Sequence, residues 1–364
     1  MELKYVELKN EGITWYPLIF HTGSLLLLKK IYDFILSFIV ILRIRLLYNT
    51  LLLVSLSNIS ASYCYVISRL LSTKLLVFNY EPHSDFLVEQ NIWNVKSFKY
   101  QFLNRLENLV GLRGDYILTG TDHMVELLST RGSRGKIFRA PSSLNSNIYM
   151  YDSQRRQAIR KKYGIEDKKV LLYLGKFGGI YYGQEIADLC KYLSDKIDDL
   201  CCLIVTPCDH KEVRYYFDKA DINAKQYMIT EAFNREEVIG FISSADIGLS
   251  AVPPTPAQKY RSPIKTGEYL LCGLPYITCA GISEDDKYAR DLNVGVVVKS
   301  FNNKDIEKER LNIESFLQEE KEKLRTRCRN AGIDYRDKKN VEQILDKIMN
   351  EVFARYNWMT KTKL

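Results

Sequence analysis

The sequence predicts an α/β protein of two doubly wound, parallel-sheet domains that face each other across a cleft. Three observations carry that reading. The chain has 364 residues, more than one α/β domain needs and enough for two. From Val170 onward, short aliphatic or β-branched runs alternate with amphipathic runs, the pattern of parallel strands joined by crossover helices. Two segments with phosphate-binding character directly follow predicted strands, the end of such sheets at which ligands bind.

In the second half, strands are predicted at Val170–Leu174, Leu200–Thr206, Gln226–Thr230, Ile247–Val252, Tyr276–Cys279 and Gly295–Val298. Helices are predicted at Gln184–Leu193, Lys211–Asp218, Arg235–Ser243, Pro263–Cys272 and Asp285–Asp291. Upstream, Thr50–Leu56, Leu75–Tyr80, Tyr116–Thr119 and Lys136–Arg139 mark the strands of another α/β unit. The polar stretch Pro141–Ser153, the basic helix after it and the turn Gly164–Lys169 read as the connection between the two. The expected division is residues 1–160 and 165–335 for the domains. Residues 336–364 are expected to form a helix, amphipathic over Val341–Trp358, that packs back across them.

Hydrophobic residues at 46% and charged residues at 26% are a globular composition with no sign of disorder. The net charge of +8 is concentrated early, where Met1–Met150 carries 16 Lys and Arg against 11 Asp and Glu, an excess suited to an anionic membrane surface or a phosphorylated partner. The apolar stretch Ser24–Leu56 is cut by Lys29, Lys30, Asp33, Arg43 and Arg45 into pieces shorter than the ~20 residues of a spanning helix. Between Ile31 and Leu42 the apolar positions nearly surround the helix, which fits either burial in the core or partial insertion into a bilayer interface. Glu2, Glu7 and Glu11 argue against a secretory signal. Eight scattered cysteines, with no Cys-x-x-Cys pair and no His at zinc spacing, read as reduced and mostly buried thiols of a cytoplasmic protein.

Arg261–Pro275 reads RSPIKTGEYLLCGLP and holds helix start and stop signals in order. Ser262 is expected to cap, Pro263 fits the first helical position, Gly273 ends the helix and Pro275 prevents its continuation. The free N–H groups of Ile264, Lys265 and Thr266 would then face the cleft as an anion site. Lys265 adds a charge there, and Glu268, one turn on, can accept from ribose hydroxyls. Asp285 and Asp286 are read as favourable charges at the start of the next helix. The loop Gly175–Gly183, GKFGGIYYG, lets the backbone approach a phosphate through Gly175, Gly178, Gly179 and Gly183, with Lys176 as a cation at the strand tip. It is neither a Walker loop nor the Gly-x-Gly-x-x-Gly fingerprint. The next strand ends in Ile204-Val205-Thr206-Pro207 without the acidic residue that holds an NAD ribose, which disfavours a dehydrogenase.

Taken together, the glycine loop and the capped helix resemble the donor domain of retaining glycosyltransferases of family four (glycosyl transferases group 1). Within that family they resemble members that build bacterial capsule, O-antigen or other surface polysaccharides. The resemblance implies a GT-B fold, two Rossmann-like domains across a cleft, with the acceptor on the N-terminal side and the nucleotide sugar on the C-terminal side. It implies that Ile264, Lys265 and Thr266 meet the diphosphate, that Glu268 holds the ribose, and that Lys176 stands where the family has an Arg or Lys on the diphosphate. Glu231–Asp246, with Phe233, resembles the stretch that frames the nucleobase. Two positions depart from the pattern. Tyr182 replaces a second basic residue, and Tyr260 replaces the first Glu of a Glu-seven residues-Glu pair; Lys259, Arg261 or Lys265 is expected to compensate for the former. The chain begins within what resembles the second βα unit, so the first βα unit of the N-terminal domain is expected to be missing. In Tyr80-Glu81-Pro82-His83-Ser84-Asp85, His83 matches a family histidine that reaches toward the donor sugar and Glu81 is a candidate contact to an acceptor hydroxyl. With Lys176 these form the expected catalytic set.

The implied activity is transfer of a hexose-type residue from a nucleoside-diphosphate sugar to a polysaccharide or lipid-linked acceptor, with no other cofactor and no nucleic-acid partner. No metal is expected, because Gly175–Gly183 and Pro253–Thr266 hold Lys176, Lys259, Arg261 and Lys265 but no Asp or Glu. The expected location is cytoplasmic, peripheral on the inner face of the cell membrane. The rival readings are a catalytically degenerate homologue that acts as a scaffold in polysaccharide assembly and a nucleotide-sugar epimerase of the same fold.

Overall fold

The computed structural model describes residues 10–14, 16, 18, 21–23, 25–48, 50–79 and 81–361. Glu2, Glu7 and Tyr80 of the sequence reading lie outside the described residues, as do the side chains at 26, 27 and 355–361.

Among the described residues, ten parallel strands form two sheets. The first contains β1 (Leu52–Ser55), β2 (Lys74–Phe78), β3 (Tyr116–Thr119) and β4 (Lys136–Arg139), in that spatial order. Because crossovers between parallel strands are right-handed, a sheet wound in one direction carries its connecting helices on one face. The side-chain alternation follows that rule. Leu53, Leu75, Val77 and Ile117 point toward Ala61, Ile67, Val110, Met124 and Leu128 of the connecting helices. Leu52, Leu76, Phe78, Tyr116, Leu118 and Phe138 point the other way, onto Val341, Ile344, Leu345, Ile348 and Val352. Those five belong to the closing helix Lys338–Lys361, which returns from the end of the chain to cover the open face.

The second sheet holds β5 (Lys169–Leu174), β6 (Leu200–Val205), β7 (Tyr227–Thr230), β8 (Ile247–Leu249), β9 (Tyr276–Cys279) and β10 (Gly295–Val298), in the order β10-β9-β8-β5-β6-β7. It is doubly wound. The order reverses between β5 and β8, so the loops leaving these two strands part and open a crevice at the switch point. β5 and β6 are apolar along their length because helices cover both faces. All six strands and five helices predicted here form. β8 is shorter than expected because Ser250–Val252 leave the sheet to begin the cleft loop.

The connecting helix Ser153–Tyr163 starts under the Asp152 side chain and stops at Gly164, whose φ of 64° suits glycine. Its Arg156 and Arg160 reach Asp246 at 2.9 and 2.6 Å, and Val170 N–H donates to the same carboxylate at 2.9 Å. Burial alone would raise the Asp246 carboxyl pKa; Arg160, Arg156 and Lys321 overturn that and hold it below the ordinary carboxylate value. The pairing fixes the connection to the second domain. All eight cysteines are free, with six buried and Cys64 and Cys208 half-buried. Among the described residues no helix is long and apolar enough to cross a membrane.

Candidate functional site

The loops leaving β5 and β8 are the two segments singled out in the sequence, and the fold sets them side by side at the switch point. The helix after β8 spans Ile264–Leu271. Its end is the expected Schellman stop: Gly273 has φ +75°, with Leu274 N–H donating to Tyr269 O at 2.9 Å and Gly273 N–H to Leu270 O at 2.8 Å. Its start differs from expectation. Pro263, with φ −60° and ψ 130°, is the cap residue and no side chain caps the first turn. Ser262 is drawn away, because its hydroxyl accepts from the Ser142 N–H at 3.1 Å and from the Arg336 guanidinium. The N–H groups of the first turn therefore keep their positive partial charge uncapped by any side chain.

Across from this start stands the loop Gly175–Gly183. Gly178 and Gly179 have φ of +73° and +64°, conformations that favour glycine, and open space lies where a Cβ would stand. Lys176 is exposed and makes no ion pair among the described residues. Between the two elements lies a cavity of about 380 Å³, lined by Ile180 and Tyr181 on one side and by Val252, Gln258, Arg261, Ser262, Pro263 and Ile264 on the other. Glu81 and Ser142 close it from the first domain and the connection.

The sequence-predicted residues fall into three groups. Glu81, His83 and Arg261 come together: Arg261 Nε lies 2.6 Å from Glu81 Oε2, and His83 Nδ1 lies 3.2 Å from Glu81 Oε1. The Arg261 guanidinium also covers the Phe86 ring at 4.4 Å, so its charge is held by the first domain. The hydrogen bond to Glu81 raises the His83 pKa, with burial working against it. Glu268, Lys265 and Tyr149 form the second group. Glu268 is only 6% exposed and accepts from Lys265 Nζ at 2.9 Å and from the Tyr149 hydroxyl at 3.3 Å. Burial, then the Glu268 charge, pushes the Tyr149 hydroxyl up to about 12. Lys265 is thus turned along the helix toward Glu268.

The third group stands apart from the cavity. Tyr182 stacks on Phe301 at 4.8 Å and reaches Cys279 Sγ at 3.8 Å. Tyr260 packs against the cluster of Ile117, Met124 and Leu128 in the first domain, with Lys259 Nζ 4.8 Å from its ring centre. Phe233 is well exposed at the head of the helix Arg235–Ser244. Asp285 is not a surface charge at a helix start. It is fully buried against Arg336 at 2.7 Å and accepts from Thr266 Oγ1 at 3.1 Å and Tyr335 at 3.0 Å, because the Arg336 charge must be met inside the fold.

Several site-shaping residues gave no signal in the sequence. Glu89 accepts from Thr255 Oγ1 at 2.6 Å and Ala257 N–H at 2.8 Å, clamping the cleft loop to the first domain. Glu284 of the second domain accepts from the N–H groups of Asp122 at 2.5 Å and His123 at 3.4 Å, at the start of the first-domain helix Asp122–Thr130. Each is a lone Glu in its local stretch, and its partner lies more than 150 residues away.

No protein-family model and no curated protein matches the sequence. Solved structures do. The chain is similar to HepE of Anabaena, solved in complex with UDP, at a TM-score of 0.71 and 11% identity over 95% of this chain and 88% of that one. It is similar to a glycosyltransferase from Rickettsia africae at 0.71 and 14% identity, over 96% and 87%. It is also similar to the sucrose-phosphate synthase of Thermosynechococcus elongatus at 0.68 and 13% identity, over 93% and 82%. The architecture is the GT-B fold, two parallel-sheet Rossmann-like domains with four and six described strands.

The His83–Glu81 contact has a pH signature. The imidazole should titrate above the ordinary value of about 6.5 when followed by NMR, and Glu81→Gln should bring it down. The raised folded-state value means that the stabilisation is complete below the unfolded pKa and is lost as pH rises through the folded one. A wild-type titration at or below the ordinary value would show that the contact does not form in solution.

Proposed function

We propose that this chain is a glycosyltransferase that moves a hexose-type residue, with retention, from a nucleoside-diphosphate sugar to a polysaccharide or lipid-linked acceptor. The observation that carries the reading is the start of Ile264–Leu271, uncapped by any side chain, facing a left-handed two-glycine turn at the switch point of a GT-B fold. Transfer breaks the bond between the anomeric carbon and the diphosphate while an acceptor hydroxyl supplies the new oxygen. The charge that develops is on the leaving diphosphate. Oriented N–H groups and Lys176 meet it without reorganising, which is where most of the rate enhancement of such a site originates. Glu268, buried on that helix one turn from its start, offers a carboxylate to ribose hydroxyls. The His83–Glu81 pair borders the cavity on the acceptor side, and closure of the cleft by Glu89 and Tyr260 limits access of water to the donor. The solved HepE complexes with UDP and UDP-glucose support this class of donor.

We further propose metal-independent chemistry. Both phosphate-facing loops carry cations and no carboxylate, and a hard divalent ion needs oxygen ligands. Purified protein should therefore bind and turn over its nucleotide sugar in excess chelator, and Glu268→Gln should weaken donor binding by about 1–3 kcal/mol with the fold intact. Activity that disappears in chelator and returns with magnesium or manganese rules out the metal-free site; undiminished affinity in Glu268→Gln removes the ribose role. Absence of both transfer and donor hydrolysis, with binding retained, would favour the scaffold reading.

The location proposed is the inner membrane face. The helix Leu26–Tyr48 packs Phe34, Phe38 and Ile41 onto the first-domain core while Leu28, Ile31, Tyr32, Ile35, Ile39 and Leu46 stay exposed along another stripe. Arg43 lies exposed within that stripe, on a domain with excess positive charge, which suits insertion at the surface of an anionic bilayer. Binding to anionic vesicles should fall as salt rises, and Ile35→Glu with Ile39→Glu should abolish it. Equal retention on neutral vesicles would contradict the electrostatic part, and no binding to either kind would remove the membrane from the picture.

A further inference from the structure

Gln258 is the least expected polar residue of the cleft. It opens a short 3-10 turn, Gln258–Tyr260, that is held on both sides: Gln258 N–H donates to Thr255 O at 3.0 Å and Arg261 N–H to Gln258 O at 3.1 Å. Glu89 clamps Thr255 and Ala257 just before it. The side chain is 1% exposed and lines the 380 Å³ cavity, yet among the described residues its Nε2 has no hydrogen-bond partner. A buried amide donor left unpaired is unfavourable by an amount comparable to a lost hydrogen bond, and native folds retain few of them. The clamped turn fixes the backbone from which this side chain projects.

We propose that Gln258 donates to a hydroxyl or ring oxygen of the transferred sugar and is a specificity-determining residue of the donor site. This rests on the glycosyltransferase reading and names which part of the donor the cavity takes. The cavity wall decides between sugar and phosphate. Ile180, Val252, Pro263 and Ile264 offer apolar contact and Tyr181 an aromatic ring, while Glu81 brings a carboxylate that repels phosphate and already offsets the charge of Arg261. A neutral amide among such groups suits a pyranose, which presents apolar C–H faces and a rim of hydroxyl donors and acceptors. The phosphates belong at the rim of the cavity, where the helix start that lines it faces Lys176. Tyr260 is engaged with the first domain, while Gln258, two residues earlier, faces the cavity.

The test uses calorimetry on the full chain with four probes: UDP, UDP-glucose, GDP and GDP-mannose. Gln258→Met keeps the volume and removes the donor. It should weaken whichever nucleotide sugar binds by about 3- to 10-fold, the effect of one hydrogen bond. Affinity for the matching nucleoside diphosphate should stay within about twofold, as for a residue that does not touch it. The melting temperature of the ligand-free variant should not fall, because the amide nitrogen has no partner among the described residues to lose. Gln258→Leu, neutral and likewise without the donor, should show the same selective loss and serves if the Met variant does not fold. An equal fall for sugar and diphosphate, no change for either, or a lower melting temperature with unchanged binding overturns the assignment, the last by showing a structural water or loop contact in its place. Wild-type protein that binds none of the four probes overturns the donor reading itself, an outcome distinct from a wild type that binds while the variants keep its selectivity.

Discussion

The site depends on one buried charge. Arg336, at the end of the helix Lys321–Arg336, has no solvent exposure, and neither has its partner Asp285. A guanidinium taken out of water is tolerated only where a counter-ion and hydrogen-bond acceptors surround it. Here they come from the interdomain connection, the cleft helix, the helix after it and the arginine's own helix. Its two terminal nitrogens reach the Ser142 carbonyl at 3.2 Å, Thr266 Oγ1 at 3.2 Å, Asp285 at 2.7 Å, the Tyr335 hydroxyl at 3.2 Å and Ser262 Oγ. Satisfying its two terminal nitrogens therefore places the interdomain connection, the start of the cleft helix and the start of the following helix in one geometry. Taking Ser262 for this purpose is also what leaves the cleft helix without a side-chain cap. Gly267 allows the close approach, since a Cβ there would come within 2.9 Å of the Arg336 side chain.

Around this anchor the domains are tied by contacts that all involve the cleft loops. Glu89 holds Thr255 and Ala257, Glu81 holds Arg261, Tyr260 enters the first-domain core, and Glu284 meets the helix that begins at Asp122. Arg139, at the end of β4, sits 3.5 Å from Asp122 and 3.7 Å from Glu284 and covers the Tyr335 ring at 4.8 Å, which joins these clamps to the Arg336 cluster. The closing helix is linked to the same place, because Leu144 N–H donates to Arg336 O and Lys338 N–H donates to Leu144 O, both at 2.8 Å. The element that covers the open face of the first sheet thus begins two residues after the arginine that organises the cleft side of the second.

What was legible in the sequence follows from the range of the forces involved. Strands such as Tyr276–Cys279 and Gly295–Val298 are short apolar runs between turn signals, so local pattern is enough to find them. Gly273 and the two glycines at 178 and 179 are visible because a left-handed backbone selects the residue type locally. Ser262 was misread as a cap because its local context is that of a cap, while its actual partners, Ser142 and Arg336, lie 120 and 74 residues away. Asp285 looked like a helix-start charge for the same reason. Glu89, Glu284 and Gln258 carry no local signature at all; their roles exist only once the two domains meet. An amphipathic helix at the end of the chain that packs back across the domains was expected from the sequence; which face it covers was not, since the strands it meets lie in the first half of the chain.

Whether the start of Ile264–Leu271 and the turn at Gly178 and Gly179 together hold a nucleoside diphosphate is tested most directly by backbone amide NMR of the labelled protein during titration with UDP and GDP. The amides of Ile264, Lys265, Thr266, Gly178 and Gly179 should shift most and saturate together at one affinity, because those N–H groups would meet phosphate oxygens. Shifts that leave these five amides unmoved and cluster on another surface, or no saturable shift with either nucleotide, would contradict a diphosphate site at the helix start.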